Sequence, residues 1–301
     1  MESYQQLSFA DAEYANKGKV TRREKFLDQL NGLLPWQSMI AVIAPHYAPG
    51  KGRGRKPFPL ESMLRAHVAQ IVYNYSDPGM EDALYEIESL RRFCGIRLEN
   101  VPDESTILQF RHLLEAHGLT EQIFIAINQT LGERGLFLKV GTIVDASLIA
   151  APTSTKNQSK TRDPEMHASK KGNQWFFGSK FHIGVDHETG LVHTLKVTSG
   201  HVSDIAEAAA LLLHGEEQFV HGDAGYQGLD KRPEMPSENP PTCVIAMRPG
   251  KLAKLTQDDS DEAQNSCARQ LANWPAAEPR SNTYFGILKS ALVTPKIAIA
   301  V

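Results

Sequence analysis

The spacing of apolar residues changes near Gly135, and this change most constrains how the chain can fold. Before it, apolar residues recur at helical intervals over residues 20–135. After it, short β-prone stretches alternate with turns and a single helical segment. The 301 residues suffice for about two domains. The sequence therefore predicts an α/β protein in which an all-helical N-terminal domain precedes a mixed-sheet domain.

Helices are predicted in the N-terminal part over residues 61–75, 80–93, 103–117 and 120–135. Either Asp103 or Ser105 can cap the third helix, and Gly118 is expected to end it. The third and fourth helices, joined at Gly118, form either a packing pair or a DNA-reading helix-turn-helix.

The C-terminal part has a different order of elements. Strands are predicted over residues 140–150, 181–186, 191–198, 219–222 and 243–247, with a polar, basic loop after the first strand and a helix over 205–214. Three strands, a helix and a fourth strand follow the ribonuclease-H-like order, in which the first and fourth strands are neighbours. We therefore expect a ribonuclease-H-like mixed sheet.

Two aspartates occur in matching settings on these two strands. Asp145 follows Thr-Ile-Val and Asp223 follows Phe-Val-His-Gly, so each is expected at or near a strand end. Neighbouring strands would let the two carboxylates share a divalent metal ion, and hard oxygen ligands favour Mg²⁺ or Mn²⁺. The alternative for each is a cap or turn residue. The pair predicts catalytic metal ligands for phosphoryl transfer, which usually requires a third acid.

Nearby histidine and aromatic residues have two interpretations each. His221 is two residues from Asp223, and it either orients a ligand or has a structural role. The rings of Trp175, Phe176 and Phe177 follow two lysines. Cations beside aromatic rings can hold unstacked DNA, but burial of the rings against the sheet is the expected arrangement.

Basic residues are concentrated in two segments, although the net charge is −3. The candidate DNA-binding residues are Arg53, Arg55, Lys56, Lys156, Lys170 and Lys171. Mobile cations of this kind suit phosphate backbones, and the alternative is a solvated loop.

Cysteine usage and hydropathy bear on the compartment. The three cysteines show no paired spacing, which disfavours a disulfide framework or a zinc site. No apolar run reaches the ~20 residues that span a bilayer, and the N-terminus lacks a signal-peptide core. We expect a cytoplasmic protein with no membrane partner.

Several longer motifs carry a family resemblance. They are Gly54-Arg-Lys-Pro-Phe-Pro-Leu-Glu-Ser-Met-Leu64, Tyr75-Ser-Asp-Pro-Gly-Met-Glu-Asp-Ala-Leu-Tyr85, residues 144–157, Arg162-Asp-Pro-Glu-Met-His167, Lys170-Lys-Gly-Asn-Gln-Trp175 and Asp223-Ala-Gly-Tyr-Gln-Gly228. With them the chain resembles bacterial insertion-sequence transposases of the insertion-sequence-five family over roughly residues 5–255.

The resemblance implies a DDE transposase that cuts at element ends and joins the freed 3′-hydroxyl to target DNA with Mg²⁺. Asp145 matches the family's first catalytic acid and Asp223 the second. The helical region matches the part associated with the terminal inverted repeats. The implied partners are double-stranded DNA, both repeats and target, and further copies of the chain on that DNA. The implied location is the bacterial nucleoid.

The C-terminus departs from this family. The third acid, a glutamate in a Val-Glu-His-x-Phe-Arg stretch, is missing. Codons for Ser281-Asn-Thr-Tyr-Phe-Gly286 can spell Val-Glu-His-Leu-Phe-Arg in a neighbouring frame, which suggests a frameshift upstream of Ser281. We expect a helical DNA-binding domain over 1–135, an incomplete catalytic domain over 136–256, and an aberrant, poorly ordered tail over 257–301.

Three functions follow from these observations. The first is a transposase whose activity is impaired because the third acid is lost. The second is a non-catalytic DNA-binding protein that inhibits an intact transposase through mixed oligomers. The third is a ribonuclease-H-like nuclease unrelated to transposition, for which cleavage without joining would be the sign.

Overall fold

The computed structural model describes residues 14, 16–47, 56–137, 140–151, 162–171, 173–209, 215–236 and 238–246. The chain divides into two compact units between Ile127 and Asn128. The residues outside the described part include Arg53, Arg55, Lys156, the second half of the predicted helix (210–214) and the tail at 257–301.

The first unit is helical. Its helices are α1 (Arg22–Leu33), α2 (Trp36–Ile43), α3 (Leu60–Tyr73), α4 (Asp77–Glu86), α5 (Glu88–Cys94), α6 (Glu104–Ala116) and α7 (Leu119–Glu133), which crosses the boundary between the units. Their apolar faces meet in one core, in which Ile43, Leu64 and Leu84 are fully buried. The helical assignment of this region is confirmed.

Local hydrogen bonds explain where α6 begins and ends. Asp103 Oδ1 accepts from the backbone N–H of Thr106 at 2.7 Å and so satisfies a donor of the first turn. Of the two candidate caps, the structure selects Asp103. After the helix, Gly118 has a φ of +57°, a conformation that favours glycine.

The helical stretch predicted over residues 80–93 is found, but it consists of two helices rather than one. The chain leaves helical geometry at Ile87, where φ is −110° and ψ is 98°. The guanidinium of Arg91 donates to the backbone oxygens of Leu84 and Tyr85 at 2.8 and 2.6 Å. These carbonyls at the end of α4 therefore have partners without continued helix.

The second unit contains a six-stranded mixed sheet. Its elements are β1 (Gly141–Ala150), β2 (His167–Lys171), β3 (Gln174–Asp186), β4 (Val192–Ser199), the short helix α8 (Asp204–Glu207), β5 (Phe219–Gly222) and β6 (Thr242–Ile245). The strand order is β2-β3-β1-β5-β6, and β4 also pairs with β3. The β1–β3, β2–β3 and β3–β4 pairs are antiparallel, whereas β1–β5 and β5–β6 are parallel.

The polar loop predicted after the first strand is wrong over His167–Lys171, because these residues form strand β2. Its five residues pair with residues 174–178, and only two residues join the strands. The segment is polar and lacks the alternation of a half-buried strand, so its sequence gave no strand signal. What makes the segment a strand is its backbone hydrogen bonding to β3, which its side-chain pattern does not indicate.

Both faces of the sheet carry buried apolar residues. One cluster contains Val144, Val220 and Tyr226 and packs against residues of α8 and its continuation. The other contains Phe181, Ile183 and Val185. Within the described residues, no helix is both long and apolar enough to cross a membrane.

Candidate active site

Asp145 and Asp223 lie at the same level of two neighbouring parallel strands. The β1–β5 ladder ends with Ile143 opposite His221, and each aspartate is two residues further along its own strand. Neighbouring strands are ~4.8 Å apart, and residues two apart share a face. Asp223 directly follows β5, as predicted, whereas Asp145 is inside β1 rather than at its end, because β1 continues to pair with β3. The sheet therefore brings the two predicted acids together.

Asp223 is held in place by the turn that it begins. It caps the 3-10 turn Ala224–Tyr226, and its Oδ1 accepts from the N–H of Gly225 at 2.8 Å. A Cβ at residue 225 would lie 2.9 Å from this oxygen. Glycine at 225 thus permits the carboxylate to sit against the backbone. Asp223 is exposed and Asp145 is half-buried.

Gly222 has a packing role instead. A Cβ there would lie 3.1 Å from both Ile245 Cδ1 and Tyr226 Cδ2. Gly222 therefore allows close packing of Ile245 and Tyr226, whereas Gly225 allows close approach of the Asp223 carboxylate.

The buried hydroxyl of Tyr226 is close enough to both candidate acids and to a third carboxylate, Asp204, to be affected by their charges. Its ring is 2% exposed, and its hydroxyl has no hydrogen-bond partner among the described residues. Burial raises the pKa of this hydroxyl strongly, and the negative charges of Asp204, Asp145 and Asp223 raise it further. All three carboxylates are therefore near the buried phenol.

Asp204 is a further carboxylate near this site that the sequence pattern did not indicate. It is the first residue of α8, and its Oδ1 accepts from Lys180 Nζ at 2.8 Å. The same ammonium donates to the backbone oxygen of Val202 at 2.8 Å. The signal available in the sequence was Lys180, an isolated cation within a β-prone stretch.

The donor set of the two predicted acids fits a hard divalent cation, because Mg²⁺ commonly takes one or two carboxylates with the remaining ligands from water and substrate. Asp145 and Asp223 share a level and a face, and Asp223 is accessible. Among the described residues, no group of three or more histidine, cysteine, aspartate or glutamate side chains is arranged to hold a metal ion. The described part of the site therefore offers two carboxylates.

His221 belongs to a stacked pair. Its ring lies 4.4 Å from that of His187, with an angle of 17° between the planes. Burial, and secondarily the charge of His187, lowers the pKa of His221 to about 4. A neutral ring packed in this way favours the structural interpretation of His221. His182 lies within β3 and His193 within β4.

Of the predicted DNA-binding cations, the structure describes Lys56, Lys170 and Lys171. Lys56 is exposed before α3, Lys170 is exposed on β2, and Lys171 ends β2. Arg53, Arg55 and Lys156 lie outside the described residues. The expected burial of Trp175 is wrong: its side chain is 70% exposed, because the part of β3 that carries it extends past the end of β1.

Two models of protein families match parts of the chain. A model described as "Transposase domain (DUF772)" matches residues 15–113, and one described as "Transposase DDE domain" matches residues 137–281. Together they indicate a DDE transposase. Asp145, Asp204 and Asp223 all fall within the second match. The family implies DNA binding, and its DDE domain normally uses a divalent metal ion. No solved structure matches the chain.

Proposed function

We propose that this chain is an insertion-sequence transposase of the insertion-sequence-five type whose catalytic activity is impaired. Its substrate is double-stranded DNA carrying terminal inverted repeats, and its cofactor is Mg²⁺ or Mn²⁺. The observation that carries the proposal is the common level of Asp145 and Asp223 on β1 and β5. Their position within the match to a transposase DDE domain supports it.

The strand arrangement supports a ribonuclease-H-like catalytic domain. Strands β1, β3 and β4 form an antiparallel set, α8 follows, and β5 then returns parallel to β1 with β6 outside it. The β2 strand is an addition between the first two strands of this order. The helical unit, matched by the other transposase model, is the proposed repeat-binding domain.

The proposed chemistry uses the chain's carboxylates as cation ligands. When bound, a divalent ion would supply the activation of water or of a 3′-hydroxyl and the stabilisation of the leaving 3′-oxygen. Asp145 and Asp223 would bind and orient that ion, and the Gly225 N–H would fix the Asp223 carboxylate through Oδ1. Tyr226, the last residue of this turn, packs in the core cluster with Val144 and Val220.

The proposed loss of catalytic activity rests on the absence of the third acid. The glutamates after residue 255 are Glu262 and Glu278, and neither lies in the motif that the family uses. The DDE-domain match ends at residue 281, where the proposed out-of-frame motif begins. The nucleotide sequence of the gene tests the frameshift: an alternative frame lacking Val-Glu-His-Leu-Phe-Arg would eliminate it.

A strand-transfer assay tests the proposed activity. The full chain, Asp145→Asn and Asp223→Asn are incubated with element-end DNA and Mn²⁺, and binding, nicking and joining are measured separately. We expect repeat binding by all three proteins, weak nicking by the unsubstituted chain alone and little joining. Robust joining would contradict impairment, and absence of DNA binding would contradict the transposase proposal.

The missing acid also favours the second candidate, an inhibitor of an intact transposase. In that case repeat binding by the doubly substituted Asp145→Ala/Asp223→Ala chain equals that of the unsubstituted chain. Adding either to an intact transposase then lowers its joining activity equally. If neither addition changes joining, the inhibitor hypothesis is excluded.

A further inference from the structure

Trp175 is exposed at the end of a two-stranded projection. Its side chain is 70% exposed, which is the largest value among the exposed large apolar residues of the described chain. Burial of a tryptophan stabilises a protein by more than burial of most residues, so such exposure in a folded protein often marks a contact site.

The residues around Trp175 form a face of aromatic and basic groups. Trp175 and Phe177 are two residues apart on β3 and share a face. Lys170 lies directly opposite Trp175 in the β2–β3 ladder, and the Arg162 guanidinium lies 5.3 Å from the centre of the Phe177 ring. We call Arg162, Lys170, Trp175 and Phe177 the hairpin face.

The base of this projection is tightly fixed. A Cβ at Gly178 would lie 1.9 Å from the backbone oxygen of Ile149, and one at Gly200 would lie 2.7 Å from that of His167. The N–H of Gly200 donates to the Gly178 oxygen at 3.1 Å, and His167 Nδ1 lies 2.8 Å from Ser199 Oγ. Residues of β1, β2, β3 and β4 therefore converge on these two glycines, at the base of the hairpin face.

The hairpin face also lies on the side of the sheet that carries Asp145. Asp145 pairs with Ile183, and Trp175 is eight residues from Ile183 on the same continuous strand. An even separation keeps the same face, and ~3.3 Å per residue gives at most about 27 Å between these levels. This length corresponds to about eight nucleotides of a DNA strand.

We propose that the hairpin face binds an unstacked base of the DNA substrate, with Trp175 stacking on the base and Lys170 contacting the adjoining phosphate. The chemistry is that of stacking platforms, in which aromatic faces accept any base and nearby cations track the backbone. The proposal rests on the proposed function, because it assumes that DNA is the substrate.

Three DNA probes of one sequence test the stacking: an intact duplex, the same duplex with a mismatched bubble, and the single strand. We expect the full chain to prefer the bubble and single strand over the duplex. Trp175→Ala should lose about tenfold or more of its affinity for those two probes while duplex affinity stays unchanged. Trp175→Phe should retain most of the preference. Val197→Ala, at a 42%-exposed residue of β4, is the matched control.

A bubble moved along element-end DNA tests the location. The effect of Trp175→Ala should be greatest with the bubble about eight nucleotides from the cut position. Equal affinity of Trp175→Ala and the unsubstituted chain for every probe would overturn the proposal while leaving the transposase function intact. If the unsubstituted chain binds no DNA, the proposed function fails as well.

The self-association of the chain without DNA provides a separate outcome. Sedimentation of the unsubstituted chain and Trp175→Ala should give the same oligomeric state. A change caused by the substitution would assign the hairpin face to contact between copies and overturn the DNA proposal.

Discussion

Gly225 is predicted to control the Asp223 carboxylate. In Gly225→Ala the new Cβ would lie 2.9 Å from Asp223 Oδ1, so the carboxylate must turn away from its backbone donor. Loss of such a supporting hydrogen bond typically lowers metal affinity by about tenfold or more. Titration calorimetry with Mn²⁺ measures the effect.

The control for this change is Gly132→Ala, since a Cβ at Gly132 would make only ordinary contact with Phe137 at 3.8 Å. Its Mn²⁺ affinity should be unchanged, and its helix should be stabilised by up to ~1 kcal/mol. Unchanged affinity in Gly225→Ala would show that the turn does not position Asp223.

His67 is expected to make stability fall in acid. It is 8% exposed, and burial, with a smaller contribution from the charge of Arg111, lowers its pKa to about 4. The unfolded chain, with an ordinary histidine pKa of ~6.5, binds a proton first as the pH falls. The free energy of unfolding should therefore decrease between pH ~6.5 and ~4, by at most about 3 kcal/mol from this residue.

Denaturant unfolding followed by helical circular dichroism across this pH range measures the loss. His67→Asn should flatten the pH dependence, whereas His112→Asn, at an exposed position of α6, should leave it unchanged. An equally steep profile in His67→Asn would assign the acid sensitivity to other groups.

At the scale of elements, the base of the β2–β3 hairpin is predicted to tolerate only glycine at residue 178. Gly178→Ala places a Cβ 1.9 Å from the Ile149 oxygen, at a φ of +157° that L side chains rarely adopt. Either the β1–β3 ladder opens or β3 shifts. Unfolding measurements should show a loss of more than ~2 kcal/mol, with Ser179→Ala close to neutral.

Helices and strands were predictable where local chemistry and packing agree. Helix α6 begins after Asp103, which caps it, and ends before Gly118, which has a positive φ. Both residue types indicate a helix end in the sequence itself. Strand β2 was not predictable because its pairing with β3, not its composition, creates it. The break at Ile87 is accompanied by hydrogen bonds from Arg91 back to the end of α4, which periodicity does not reveal.

The candidate site was predictable to the same extent. Asp145 and Asp223 follow apolar stretches, and strand order alone suggests that they are neighbours. Asp204 could not be placed, because its position depends on the ion pair with Lys180 across the fold. The exposure of Trp175 depends on how far β3 extends beyond β1, a length that the sequence does not give.

For the whole molecule, restoring the proposed reading frame should restore joining. The frame-restored chain would carry the third acid, and its strand transfer with Mg²⁺ should exceed that of the present chain by orders of magnitude, since loss of an essential catalytic group commonly has that effect. The control is the frame-restored chain with Asp223→Asn, which should be inactive. Equal joining by the present and restored chains would contradict the impairment proposal.

The short pairing of β1 with β5 has a mechanical consequence. Their ladder ends at Ile143 and His221, so no backbone pair fixes the separation of the two carboxylates beyond it. Like charges at neighbouring positions repel, and a cation between them reverses that force. Under the proposed function, a cation held by both carboxylates would replace this repulsion with attraction, so ion binding would also stabilise the end of the β1–β5 pair.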